Sequence, residues 1–149
     1  MLPPLQPTEN PMDHAATVRR LYDLINAGDI DGFGALLADD FVDHEELPVV
    51  GTREGVMDFL RMQRAAFPDM RMHVEEVIES GDTVVVRGKV SGTHEGTFLG
   101  MPATGRHMEV KLIDIMRFGD DGLAHEHWGL MDSLAMMQQL GALPEGPAA

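Results

Sequence analysis

From His107 to Phe118 the chain alternates apolar and polar residues with hardly a break. Such a segment is stable only as a β-strand with one buried face, because residues two apart share a side of the sheet. Met108, Val110, Leu112, Met116 and Phe118 fall on one side. His107, Glu109, Lys111 and Arg117 fall on the other, together with Ile113 and Ile115. Asp114 is the exception, since its parity sends it inward with the apolar set. A buried carboxylate without a partner is costly. Either a donor meets it or the site makes use of its altered acidity.

The rest of the chain supplies the layers this strand requires. Ala15, Val18, Leu21, Tyr22 and Ile25 recur at helical spacing between residues 13 and 27, with Asp13 as N-cap and Gly28 as stop. Ile30, Phe33, Leu36 and Leu37 predict a short second helix. "DDFVDHEEL" predicts a strand leaving the helical layer. A third helix is expected after Thr52 and before Pro68, with Val56, Phe59, Leu60, Gln63 and Phe67 facing inward. Beyond Pro68 the pattern turns to strands: Met70 to Val74, Val84 to His94, the long strand, and Leu123 to Trp128 after a "GDDG" turn. Ser133 to Leu140 forms a last amphipathic turn closed by Gly141. Gly88 and Gly92 inside a strand point to bending or close approach. Helices first and antiparallel strands afterwards make an α+β fold, a curved antiparallel sheet forming a cone with the N-terminal helices across its concave face. Residues 13–141 read as one domain, 1–12 as a flexible Pro-rich extension and 142–149 as a tail.

Composition narrows the function classes. A formal charge of −14 and a pI near 4.6 argue against nucleic acid and anionic membrane surfaces as partners. The absence of cysteine excludes disulfides, thiolate metal sites and a cysteine nucleophile. No apolar run approaches the roughly 18 residues of a membrane span. "MLPPLQPTENP" has neither the basic start nor the apolar stretch of a signal peptide, so the expectation is a cytoplasmic protein.

Several residues carry potential chemistry. Asp114 can act as a general acid or base in an apolar pocket. His94 shares the inward parity of Val84, Val86 and Val90 near a strand end. "AHEHW" holds His125 and His127 on one strand face and Glu126 and Trp128 on the other. An H-x-H pair can bind zinc, though without cysteine the third ligand would be His94, His44 or a carboxylate; the reading adopted is no metal. "DHEE", residues 43–46, is an acidic loop in which Asp43 or His44 can turn toward the pocket mouth. Asp132 suits an N-cap. Arg106 and Arg117 suit surface pairs. Twelve methionines, several on inner strand faces, suit a flexible lining for a bulky apolar or aromatic molecule. The catalytic candidates are Asp114, His127, His94 and Asp132. The candidate substrate contacts are Asp43, His44, Phe59, Phe98, Met101, Met116 and Trp128.

At "HEGTFLGMPATGRHMEVKLIDIMRF" and "DDGLAHEHWGLMDSLAMMQQLG" the sequence resembles the SnoaL-like polyketide cyclases and their ester-cyclase relatives. The G-x-F-x-G-M-P-A-T-G loop at 96–105 and the Q-Q-L-G ending at Gly141 carry the likeness, which runs from about Asp13 to Gly141. The resemblance implies the cone-shaped α+β barrel shared with ketosteroid isomerase and nuclear transport factor 2, no metal, no organic cofactor and a homodimer. It implies ring closure by intramolecular aldol condensation. A carboxylate removes a proton next to carbonyls, and the enolate attacks a second carbonyl. The family's pocket histidine falls at His127 and its pocket asparagine at Asp43, while a strand histidine falls at Asp114. The family's acid–base aspartate falls at Gly129, which cannot transfer a proton, so Asp114 or Asp132 would take over. Two other readings share the fold: an epoxide hydrolase built on an Asp-Arg-Asp group, and a non-catalytic small-molecule binder. The homodimer would form through the outer sheet face, where Ile113 and Ile115 sit.

Overall fold

The computed structural model of the protein describes residues 13–45 and 51–144. The expected extension at 1–12, Glu46 and the last five residues of the tail lie outside the described residues. Nine elements follow one another: α1 (His14–Ala27), α2 (Ile30–Gly34), β1 (Leu37–Asp43), α3 (Arg53–Ala66), β2 (Arg71–Ser80), β3 (Thr83–Thr93), β4 (His107–Phe118), β5 (Ala124–Met131) and α4 (Ser133–Gln139). The helices begin and end where capping chemistry predicts. Asp13 accepts from the Ala16 N–H, Thr52 accepts from the Gly55 N–H, and Gly28 closes α1 in the left-handed conformation at φ 75°.

The strands form one sheet in the order β1-β5-β4-β3-β2. The strand at its centre, β4, alternates buried and exposed residues over its whole length, and Asp114 is buried with Leu112 and Met116. The hairpin β3–β4 keeps one register from Thr83 opposite Arg117 to Thr93 opposite His107. Between β2 and β3 the register slips between Val74 and Glu76, facing Gly88. A Cβ on Gly88 would overlap the His73 carbonyl, so this glycine permits the bulge that curves the sheet. The first helix is fastened to β2 at both ends. The Asn26 amide exchanges hydrogen bonds with the Met72 backbone at 2.7 and 2.9 Å, and the His14 N–H donates to Glu79 at 2.9 Å. Val18, Leu21, Tyr22 and Ile25 thereby seal one side of the concave face.

One pairing departs from the antiparallel expectation. β1 lies parallel to β5, with Asp43 opposite His127. Parallel neighbours require a long crossover, and here α3 and the β2–β4 meander supply it. Alternation within a short strand carries no information about its neighbour, so this edge could not be read locally.

Candidate active site

The helices and the concave sheet face enclose a cavity of about 570 Å³. Its walls are mostly apolar: Phe33, Phe41, Leu60, Phe98, Leu112 and Met136 are among them. That volume lies in the range of pockets that take drug-sized ligands. Most of the polar groups collect on the β1–β5–β4 side, with Gln63 of α3 apart from them.

There Asp114 finds the partners its position demands. The Tyr22 hydroxyl, from the buried stripe of α1, donates a short hydrogen bond to Asp114 Oδ2. His127 Nε2 meets Oδ1 at 3.0 Å. The other ring nitrogen of His127, Nδ1, meets Asp43 Oδ2 at 3.0 Å, a direct consequence of the Asp43–His127 register. Asp43 Oδ1 in turn accepts the backbone N–H of Glu45 at 2.9 Å, which aims Glu45 toward the same cavity. Four side chains on α1, β1, β4 and β5 thus form one line, Tyr22–Asp114–His127–Asp43.

The electrostatics follow from that geometry. Burial alone would depress the His127 pKa, yet the hydrogen bonds and charges of Asp114 and Asp43 outweigh it and raise it to about 10. His127 is therefore an imidazolium at neutral pH, donating from both nitrogens. Burial and the adjacent Asp114 charge push the Tyr22 phenol well above its usual value, so it stays a donor. Burial also raises Glu45, opposed by the His127 charge and reinforced by Asp43 and Asp114.

Of the sequence-predicted residues, Asp114, His127, Asp43, Phe59, Phe98 and Met116 line the cavity, and His44 stands at its border. The others are not brought there. His94 lies beyond the end of β3, fully buried beneath the 96–105 loop. It stacks on Phe67 at 5.3 Å and its Nδ1 meets Thr104 Oγ1 at 3.0 Å, so it points inward as parity predicts but into packed core rather than into the cavity. Asp132 caps α4 by accepting from the Ala135 N–H at 3.0 Å. Met101 pairs with Phe98 within the loop and leaves the wall to Phe98 and Leu99. Trp128 occupies the outer sheet face, stacked on His44 at 4.5 Å with Arg117 5.1 Å from its ring. Arg117 is also bound to Glu126 on that outer side, and no arginine is among the described residues lining the cavity, which removes the basis for the Asp-Arg-Asp reading. The H-x-H pair does not share a face either. A bulge between Arg117 and Phe118 sends His125 to Asp121 instead.

Three cavity residues were missed as functional. Tyr22 reads as one more apolar position of α1, and Glu45 as part of a solvated acidic run. Gln63 was legible as an inward residue of α3. Its side chain lines the cavity and makes no hydrogen bond among the described residues, although the residue is only 4% exposed. One ligand-type atom from each of Asp43, Glu45 and His127 also lies within 4.8 Å of the others. Both His127 nitrogens are already engaged by carboxylates, so a cation there would have to break the network.

Residues 15–140 match the family described as SnoaL-like polyketide cyclase. Over 137 residues the chain is 29% identical to the aklanonic acid methyl ester cyclase DauD of Streptomyces sp. (strain C5), covering 87% of this chain and 84% of that protein. Among solved structures, AclR of Streptomyces galilaeus, a proposed hydroxylase, superposes with a TM-score of 0.81 at 28% identity, covering 91% of this chain and 85% of AclR. IdmH of Streptomyces antibioticus, a proposed polyketide cyclase, does so at 0.74 and 34% identity, covering 87% of this chain and 99% of IdmH. With a match across nearly the whole described fold, the chain belongs to the SnoaL-like polyketide cyclase family.

Proposed function

We propose that this protein is a cofactor-independent cyclase that closes a ring by intramolecular aldol addition at a carbon α to a carbonyl, on an apolar polycyclic keto ester. The observation that carries the reading is the Tyr22–Asp114–His127–Asp43 line at the polar side of an otherwise apolar cavity. An aldol step develops negative charge on an enolate oxygen, and the His127 imidazolium, whose two N–H groups are held by carboxylates, sets a fixed positive charge beside the cavity. Asp114 and Asp43 keep His127 protonated and oriented. The family's name and the relatives named as aklanonic acid methyl ester cyclases point to the same substrate class.

Incubation with aklanonic acid methyl ester tests this directly. Ring closure is an isomerisation, so the expected product has unchanged mass and a new retention time. Saturable binding without any product would instead support the small-molecule binder.

Gln63 is the polar group available to orient a substrate carbonyl from the α3 side. Gln63→Leu preserves volume and should raise KM roughly tenfold through one lost hydrogen bond, with little change in thermal stability. An unchanged KM would remove that role.

The outer face carries the proposal of a homodimer. Ile113 and its cross-strand partner Leu130 are 42% and 77% exposed between charged neighbours of both signs. A second copy of the same face would cover them. Light scattering at micromolar concentration should give about twice the chain mass of 16.4 kDa, and the single-chain mass would count against it. Among the described residues no helix is long and apolar enough to cross a membrane, and we place the protein in the cytoplasm.

A further inference from the structure

Gly129 sits opposite Asp114 on β5, on the cavity side of the sheet. A Cβ there would overlap Glu45 Oε1 and stand 2.8 Å from His127 Cε1 and 3.0 Å from Asp114 Oδ1. The missing side chain therefore leaves a space beside the charged line, and the Glu45 carboxylate occupies it from the far side. We propose that Glu45 is the catalytic residue that removes and returns the proton in this site, a role that rests on the aldol reading above.

The other polar groups are less suited to that task. His127 is an imidazolium whose two N–H groups are engaged, so it has no lone pair to offer. Asp114 accepts from Tyr22 and His127, one donor on each oxygen. Asp43 likewise accepts from His127 and from the Glu45 backbone. Glu45 is half-buried, lines the cavity and has no side-chain hydrogen bond among the described residues. The groups facing it are Asp43 on β1, Asp114 on β4, His127 on β5 and Tyr22 on α1. Burial and the two carboxylates favour its protonated form, while His127 opposes them, which gives Glu45 more basicity than a solvated carboxylate.

The step balances without any added reactant. The substrate C–H breaks, its proton passes to Glu45, and the bonding pair delocalises onto the carbonyl oxygen near His127. That pair then forms the new C–C bond to the second carbonyl carbon. The π pair of this carbonyl moves onto its oxygen, which takes the proton from Glu45. The carboxylate is restored and the product is an isomer of the substrate.

Proton removal can be read apart from ring closure. The probe is a methyl 3-aryl-3-oxopropanoate, whose activated carbon lies between its ketone and ester and which has no further carbonyl placed for intramolecular attack. Deuterium incorporation above the buffer rate is followed by NMR from pH 4 to 9, alongside ring closure of the full keto ester. In the wild-type protein exchange should rise with pH as Glu45 ionises. Glu45→Gln should reduce both reactions about 100-fold or more while the circular dichroism spectrum stays native. Glu45→Ala should regain at least tenfold in exchange when formate is added, because formate fits the space facing Gly129, and a purely structural role would give no such rescue. A loss below tenfold in Glu45→Gln, or an inactive Glu45→Ala that formate does not rescue, overturns the assignment and leaves the aldol reading in place. A wild-type protein that neither exchanges nor cyclises overturns both.

Discussion

Asp114→Asn is expected to lower turnover by about 100-fold or more while leaving the cavity able to bind a product-like aromatic. Asparagine matches the shape of aspartate but carries no charge, and its amide nitrogen is a donor facing the Tyr22 hydroxyl or the His127 N–H. The change acts through His127. That imidazole would lose one adjacent negative charge and, where the amide nitrogen faces it, one hydrogen bond as well; both raise its pKa, so its value should fall from about 10. Nitrogen-15 chemical shifts of the ring report this directly. The loss of activity and the fall in the His127 pKa should appear together. Asp132→Asn is the control, since Asp132 caps α4 and asparagine caps nearly as well, so activity should hardly change. Full turnover in Asp114→Asn would detach the charged line from catalysis. Loss of turnover confined to Asp132→Asn would restore the candidacy that its position denies.

The same line should tie stability to pH. The folded pKa of His127, about 10, lies above the reference value of 6.5, so folding binds its proton more tightly. The resulting stabilisation is fully present below about pH 6.5 and is lost as pH rises toward and through 10. Its size is on the order of a few kcal/mol, enough to move the melting temperature by many degrees in a domain of this length. Wild-type melting temperature should therefore fall between pH 7 and 10. His127→Gln leaves Asp43 and Asp114 as neighbouring buried anions, and removing one partner of such a buried pair costs roughly 3–5 kcal/mol. The variant should be less stable than wild type at pH 7, with the difference shrinking toward pH 10. Parallel curves for the two proteins would mean that His127 is not held charged by its carboxylates.

Much of this site could be anticipated from local pattern. Counting by two along β4 put Asp114 inside, and the burial of its neighbours agrees residue by residue. The caps Asp13 and Thr52 and the stop at Gly28 were readable because each uses groups within four residues of itself. His94 shows the limit of such counting. Parity put it inside, and its burial agrees, but parity cannot tell the cavity from the packed core where His94 stacks on Phe67. The bulge beside His125 similarly separates two histidines that simple alternation would place together.

The sequence by itself determined the α+β class, the helix ends and the inward face of the central strand, since periodicity and capping are set by steric and hydrogen-bonding rules acting over a few residues. Only the tertiary structure decided who meets Asp114. Tyr22 is 92 residues away in sequence and His127 is 13, while Asp43 reaches His127 across 84 residues through a parallel pairing. It also decided that the gap at Gly129 is filled by a glutamate that follows the neighbouring edge strand β1. Contacts of that kind arise from how separate elements pack, and no local pattern in Tyr22 or Glu45 distinguishes a network member from an ordinary helix or loop residue.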